Sequence, residues 1–185
     1  FLLFQVQPII GKYILPWFGG ASFVWITSLL FFQTLLLAGY FYSYIITKLP
    51  LRKQIIIHAL LIIVGIIVTF ITFKTWSSPL TPDLSAKLPD TFPPAVQVLQ
   101  ILLISVGLPY FILSITSTLL QRWFSFSATN KTPYSLYAVS NAGSLLGIAS
   151  YPFITEPLLT IHNQSIIWSF AFIVFSVLII ISTIV

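Results

Sequence analysis

The sequence predicts an all-α protein, a polytopic integral membrane bundle of about six transmembrane helices. Three observations predict it. Hydrophobic residues make up 58% of the 185 and charged residues only 6%, whereas roughly a quarter of a soluble domain is charged. The apolar residues fall in long runs, close to the roughly 20 residues that one membrane crossing needs. Pro, Gly and basic clusters separate those runs, as turn residues punctuate helices. Helix is predicted even where Ile dominates, because an open strand cannot cross lipid with its backbone groups unpaired.

In chain order, the first span covers residues 1–18 and ends at Pro16 and the Gly19-Gly20 pair. The second, 23–47, carries no charge and gathers Tyr40, Tyr42 and Tyr44 near its far end, where aromatic rings settle at headgroup level. A basic turn with Lys48, Arg52 and Lys53 precedes the third span, 54–73. Residues 74–94 contain Asp83, Asp90 and prolines 79, 82, 89, 93 and 94, which predicts an extramembrane loop. The fourth span, 95–120, contains Pro109, and a kink is expected there because proline removes a backbone hydrogen bond and crowds the preceding turn. A polar turn ends at Pro133, a residue suited to a helix start. It leads to the fifth span, 134–156, and the sixth occupies 164–185.

Positive charge in short loops marks the cytoplasmic side. Lys48, Arg52, Lys53, Arg122 and Lys131 share one side, and Lys12, Lys74 and Lys87 the other. This predicts an outward-facing loop 74–94 and a cytoplasmic C-terminus. The net charge of +5 comes from residues too scattered for a nucleic-acid patch. There is no Cys, which excludes disulfides and thiolate chemistry, and no Met. Because the chain opens at Phe1 within an apolar run, further residues upstream are expected.

Ionisable groups within a bilayer are costly, so each is a candidate site. Glu156, between Pro152 and Pro157, reads either as a proton or cation ligand or as an interfacial group paired with Lys12. Lys12 itself reads as a snorkelling side chain or as that partner. His58 has no His, Cys or carboxylate three or four positions away, so hydrogen bonding within the bundle is expected rather than metal binding. Gln5, Gln7, Gln33, Gln97, Gln100 and Asn141 are candidates for joining helices, or for lining a polar path. Ser140, Gly143, Ser144 and Gly147 place small residues four apart, a spacing that lets helix backbones approach closely. The fifth span is therefore expected at the buried centre of the bundle.

Several motifs are missing from the sequence. It has no phosphate loop, dinucleotide fingerprint, zinc-binding His pair or Gly-x-Ser-x-Gly elbow, and it carries only three carboxylates. No enzyme activity, metal or cofactor is expected of these residues alone.

Some strings are more specific than hydropathy. Phe4-Gln5-Val6-Gln7-Pro8, Leu15-Pro16-Trp17-Phe18-Gly19-Gly20, Phe31-Phe32-Gln33 and Leu36-Leu37-Ala38-Gly39-Tyr40 resemble the opening of the transmembrane spermidine-synthase-like family, also described as fused major-facilitator/spermidine synthase. Ser105-Val106-Gly107-Leu108-Pro109-Tyr110-Phe111 and Leu119-Leu120-Gln121-Arg122-Trp123-Phe124 are similar to its fourth span. Pro133-Tyr134, Ser140-Asn141, Gly143-Ser144-Leu145-Leu146, Tyr151-Pro152 and Glu156-Pro157 are similar to its fifth. Thr118 stands where the resemblance would place proline.

In that family a cytoplasmic aminopropyltransferase-like domain follows the membrane region and would bind decarboxylated S-adenosylmethionine or a related cofactor. The resemblance thus implies a membrane scaffold or anchor for such a domain, or an accessory subunit of a larger complex, in a bacterial inner membrane. Its expected partners are the lipid bilayer and other membrane subunits or a cytoplasmic domain. The alternative is a transporter or channel for a small organic cation or proton.

Overall fold

The computed structural model describes residues 1–127 and 134–184. It is 85% helical, and among the described residues the only β pairing is a bridge between Ser78 and Thr81. Lys131, Pro133 and Val185, on which part of the orientation and span reading rests, lie outside the described residues.

Helix α1 (Leu2–Ile14) tightens into a 3₁₀ turn, Leu15–Phe18, that ends at Gly19 and Gly20 with φ of 64° and 75°. These are left-handed values that cost a side chain dearly and glycine almost nothing. The chain then reverses into α2 (Phe23–Ile46) and again, through the Pro50 turn, into α3 (Leu51–Thr75). Next come α4 (Pro94–Leu102), a π turn at Leu103–Gly107 and α5 (Leu108–Ser127), which together form one long rod. The irregularity predicted near Pro109 takes this form: the loosened turn precedes proline, whose missing N–H cannot serve an α-helical ladder. A second rod is built the same way around Pro152, with α6 (Tyr134–Ser150), a π turn at Tyr151–Thr155 and the short α7 (Glu156–Leu158). Helix α8 (Ile161–Ile184) completes the described chain.

Among the described residues, four helical segments are long and apolar enough to cross a membrane: Phe23–Ile46, Leu51–Thr75, Pro94–Phe124 and Ile161–Thr183. The sequence predicts about six spans. The two others lie in rods interrupted by a change of helix type, α1 with 13 residues and α6 with 17. Outward faces are strongly apolar, with Leu37, Phe70, Phe153 and Phe170 all more than half exposed. Surfaces of that kind suit contact with lipid or another protein rather than water.

The centre of the bundle differs from the sequence expectation. The best-buried window is the α4–α5 rod at 67%, against 33% for α2 and 28% each for α3 and α8. Helix α6 is peripheral: Val139, Leu145, Leu146 and Ile148 are exposed, and Gly147 is its only fully buried described residue. Its Gly147 face packs on the start of α1, and no described element covers Val139, Leu145, Leu146 and Ile148, so α6 lies at the edge. The core gathers on α4–α5 instead, where Val98, Ile101, Leu102, Val106, Tyr110 and Ile112 meet α1 through Val6, Ile9 and Ile10. Helix α2 approaches α5 so closely that a Cβ on Gly39 would overlap Ser114 Oγ.

The segment predicted as an extramembrane loop is partly folded into the bundle. Ser78, Leu80 and Thr81 are buried. Ser78 bonds Thr81 through their hydroxyls and donates to Ser165 Oγ on α8 at 2.9 Å, and Leu80 N donates to the same oxygen at 3.0 Å. Tyr13 at the end of α1 donates to Pro82 O at 2.6 Å. The segment is thereby fastened over one end of the bundle.

Candidate functional site

A seam of polar side chains runs along α1 where it meets the α6–α7 rod and α8. Gln5 is 3% exposed, and its Nε2 donates to Gly147 O at 2.9 Å and to Ser150 Oγ at 2.7 Å. Loosening of the helical ladder in the π turn brings Thr155 into this seam. Its carbonyl accepts from Gln164 Nε2 at 3.3 Å, and Gln164 also donates to Leu159 O at 2.9 Å. Trp168 Nε1 donates to Leu2 O at 2.8 Å. The seam ends at the Lys12–Glu156 ion pair, 2.6 Å long, with side chains 41% and 43% exposed. The two charges therefore sit where α1 and α7 reach the end of the bundle, which tolerates charge far better than the middle.

Beyond the first turn of α1 the neighbouring helices leave a groove of about 830 Å³, a volume typical of small-molecule sites. Its polar groups include Ser114, Ser117, Thr118 and Gln121 on α5, Ser140, Asn141 and Ser144 on α6, and the phenols of Tyr40 and Tyr137; Leu36 and Phe175 contribute apolar wall. None of these side chains is charged, so the lining can offer hydrogen bonds and apolar contact but no fixed countercharge.

The predicted site residues thus divide among five places. Ser140, Asn141, Gly143 and Ser144 line the groove. Gly147 packs on α1, where a Cβ would come 2.7 Å from Phe1 O; at Gly143 the nearest contact would be 3.6 Å, to Phe1 N. Lys12 and Glu156 close the seam. Gln33 stands apart, exposed on the outer face of α2.

His58 lies in a separate buried cluster between α3 and α5. Thr116 Oγ1 donates its one proton to Ile112 O at 2.6 Å, so at the 3.0 Å contact between His58 Nε2 and Thr116 Oγ1 the imidazole is the donor. The ring meets Trp123 edge-on at 5.9 Å, and Trp123 Nε1 donates to Gln54 Oε1 at 3.0 Å. Among the described residues no three His, Asp or Glu side chains gather into a metal-binding group. Sequence reading missed Gln54, Ser165 and Trp168. Each is an ordinary residue in an apolar run, and only the pairing of distant helices reveals its partner.

The fold and these sites define a helical bundle with membrane-length helices, an internal polar seam and an uncharged groove. Comparison with protein-family models, curated proteins and solved structures finds no match.

Proposed function

We propose that this chain is a multi-pass membrane scaffold of the spermidine-synthase-like type, anchoring a cytoplasmic domain or serving as an accessory subunit of a larger complex in a bacterial inner membrane. The observation that carries this reading is the use made of the interior amides and charges. Gln5 ties α1 to α6, Gln54 accepts from Trp123 on α5, Gln164 reaches the π turn at Thr155 and Trp168 bonds the start of α1, while Lys12 and Glu156 neutralise each other at the bundle's end. Polar groups committed in this way hold helices in place, as interhelical hydrogen bonds do in bilayers.

The test is a topology and retention experiment. With a reporter joined after Val185, the fusion should resist alkaline extraction from membranes and the reporter should be active only on the cytoplasmic side. Release of the fusion into the soluble fraction, or a reporter on the opposite side, would overturn the reading.

One observation favours a second reading, a transporter or channel for a small organic cation or proton. The groove is large and carries hydroxyl and amide groups on two facing helices. Vesicles reconstituted with the chain would then show polyamine or proton flux, reduced by Asn141→Leu and by Glu156→Gln. Flux no faster than in empty vesicles would discard this alternative.

A further inference from the structure

Gln33 occupies the middle of α2 (Phe23–Ile46), a span with no charged residue. It is exposed, and its side chain makes no hydrogen bond among the described residues. On the same face lie Ile26, Leu30, Leu37, Tyr40 and Tyr44, each at least half exposed. With Gln33 they run from 26 to 44 in alternating steps of four and three, the spacing of a seam between two helices that cross at a shallow angle. An apolar face alone would be satisfied by lipid. An amide at mid-span is not satisfied by lipid, because hydrocarbon offers neither a donor nor an acceptor.

We propose that this face of α2 binds a second copy of the same chain, forming a two-fold dimer with the two Gln33 side chains paired at its centre. The carboxamide carries both a donor and an acceptor, so across a two-fold axis each Gln33 gives one hydrogen bond to the other and receives one in return. An isologous contact requires self-complementarity of this kind. A cation or an anion at this position would repel its own copy. A single polar residue in an otherwise apolar seam also sets register, because sliding the helices separates the two amides. The proposal rests on α2 spanning a membrane and is independent of whether the bundle anchors or transports.

The chain has no cysteine, so one introduced thiol reports on one position alone. In oxidised native membranes, Gln33→Cys, Leu30→Cys and Leu37→Cys should form disulfide-linked homodimers at least fivefold more than Phe41→Cys, to the side of the seam, or Leu60→Cys, exposed on α3. Mixing differently tagged copies identifies the partner as a second copy. Gln33→Leu should weaken co-purification of the two tags about tenfold, the scale of losing interhelical amide bonds, whereas Gln33→Asn should retain most of it. Cross-linking no greater at positions 30, 33 and 37 than at 41 and 60, in chains that remain in membranes, overturns the dimer alone. Chains extracted at alkaline pH overturn the spanning reading and the dimer with it. Cross-links only to a different protein also overturn the dimer.

Discussion

Lys12 and Glu156 meet at 2.6 Å across 144 positions of sequence, joining the last turn of α1 to the first residue of α7. Both side chains remain about two-fifths exposed, so the pair contributes little net energy, on the order of 0.2–1 kcal/mol. Glu156→Gln is expected to lower stability within that range, and the double variant Lys12→Glu with Glu156→Lys should recover most of the loss. Thermal or detergent unfolding of the single and reversed variants measures this. A loss of several kcal/mol from Glu156→Gln would mean that the carboxylate does more than pair.

Gly147 and Gly143 lie four apart on α6 but differ in what they face. Gly147→Ala would push a methyl to 2.7 Å from a backbone oxygen of α1, which cannot rotate away. The expected cost is about 1–3 kcal/mol, as for overpacking elsewhere. Gly143→Ala meets only ordinary contact at 3.6 Å and gains helix propensity, so its expected effect is neutral or slightly stabilising. Equal behaviour of the two variants in unfolding assays would contradict the placement of α1 against α6.

At the crossing of α2 and α5, Gly39→Ala collides with Ser114 Oγ, and a loss of about 1–3 kcal/mol is expected. Adding Ser114→Ala removes the overlapping oxygen and should restore part of the yield of folded protein on size-exclusion chromatography. Full independence of the two substitutions would show that the helices are further apart.

Ser165→Ala deletes the hydroxyl that receives both Ser78 and Leu80 N. The buried segment then loses two bonds, at a cost of about 1–3 kcal/mol. Tryptic cleavage after Lys87 is expected to accelerate roughly tenfold, since 1.4 kcal/mol of local opening corresponds to a factor of ten. The rest of the chain should resist as before.

Thr116→Val leaves the His58 N–H without its acceptor in a site where the ring is 1% exposed. A buried donor left unmade costs about 1–3 kcal/mol. Thr116→Ser keeps the oxygen and should behave much like the parent in the same unfolding assay.

The helical architecture was legible because lipid leaves the backbone so few options. Run lengths and the Pro and Gly breaks located the rods, and the irregularity expected near Pro109 corresponds to the π turn just before it, whereas the one at Tyr151–Thr155 was not expected. Which rod sits in the middle was not legible. Small residues at Ser140, Gly143, Ser144 and Gly147 show that one face can approach something closely, but a helix is central only when every face is covered. The docking of Ser78 and Leu80 on Ser165 was equally hidden. A serine in an apolar run bonds its own helix, a neighbour or water with no difference in local pattern, and composition at 74–94 reports polarity rather than partners.

The π turn at Leu103–Gly107 has a consequence for how this chain tolerates change. A π turn holds one residue more than the α turn it replaces, and one residue corresponds to about 100° of rotation. Deleting a single residue there would restore a regular helix with Tyr110, Ile112 and Leu113 still facing the core, whereas deleting one from the regular turns of α4 would swing all three out together, along with the oxygen that receives His58. The rod thus behaves like a text with a reading frame. Substitutions along it alter single words, and an insertion or deletion in its regular turns shifts the meaning of everything that follows, but at the π turn one letter can be dropped with the frame kept.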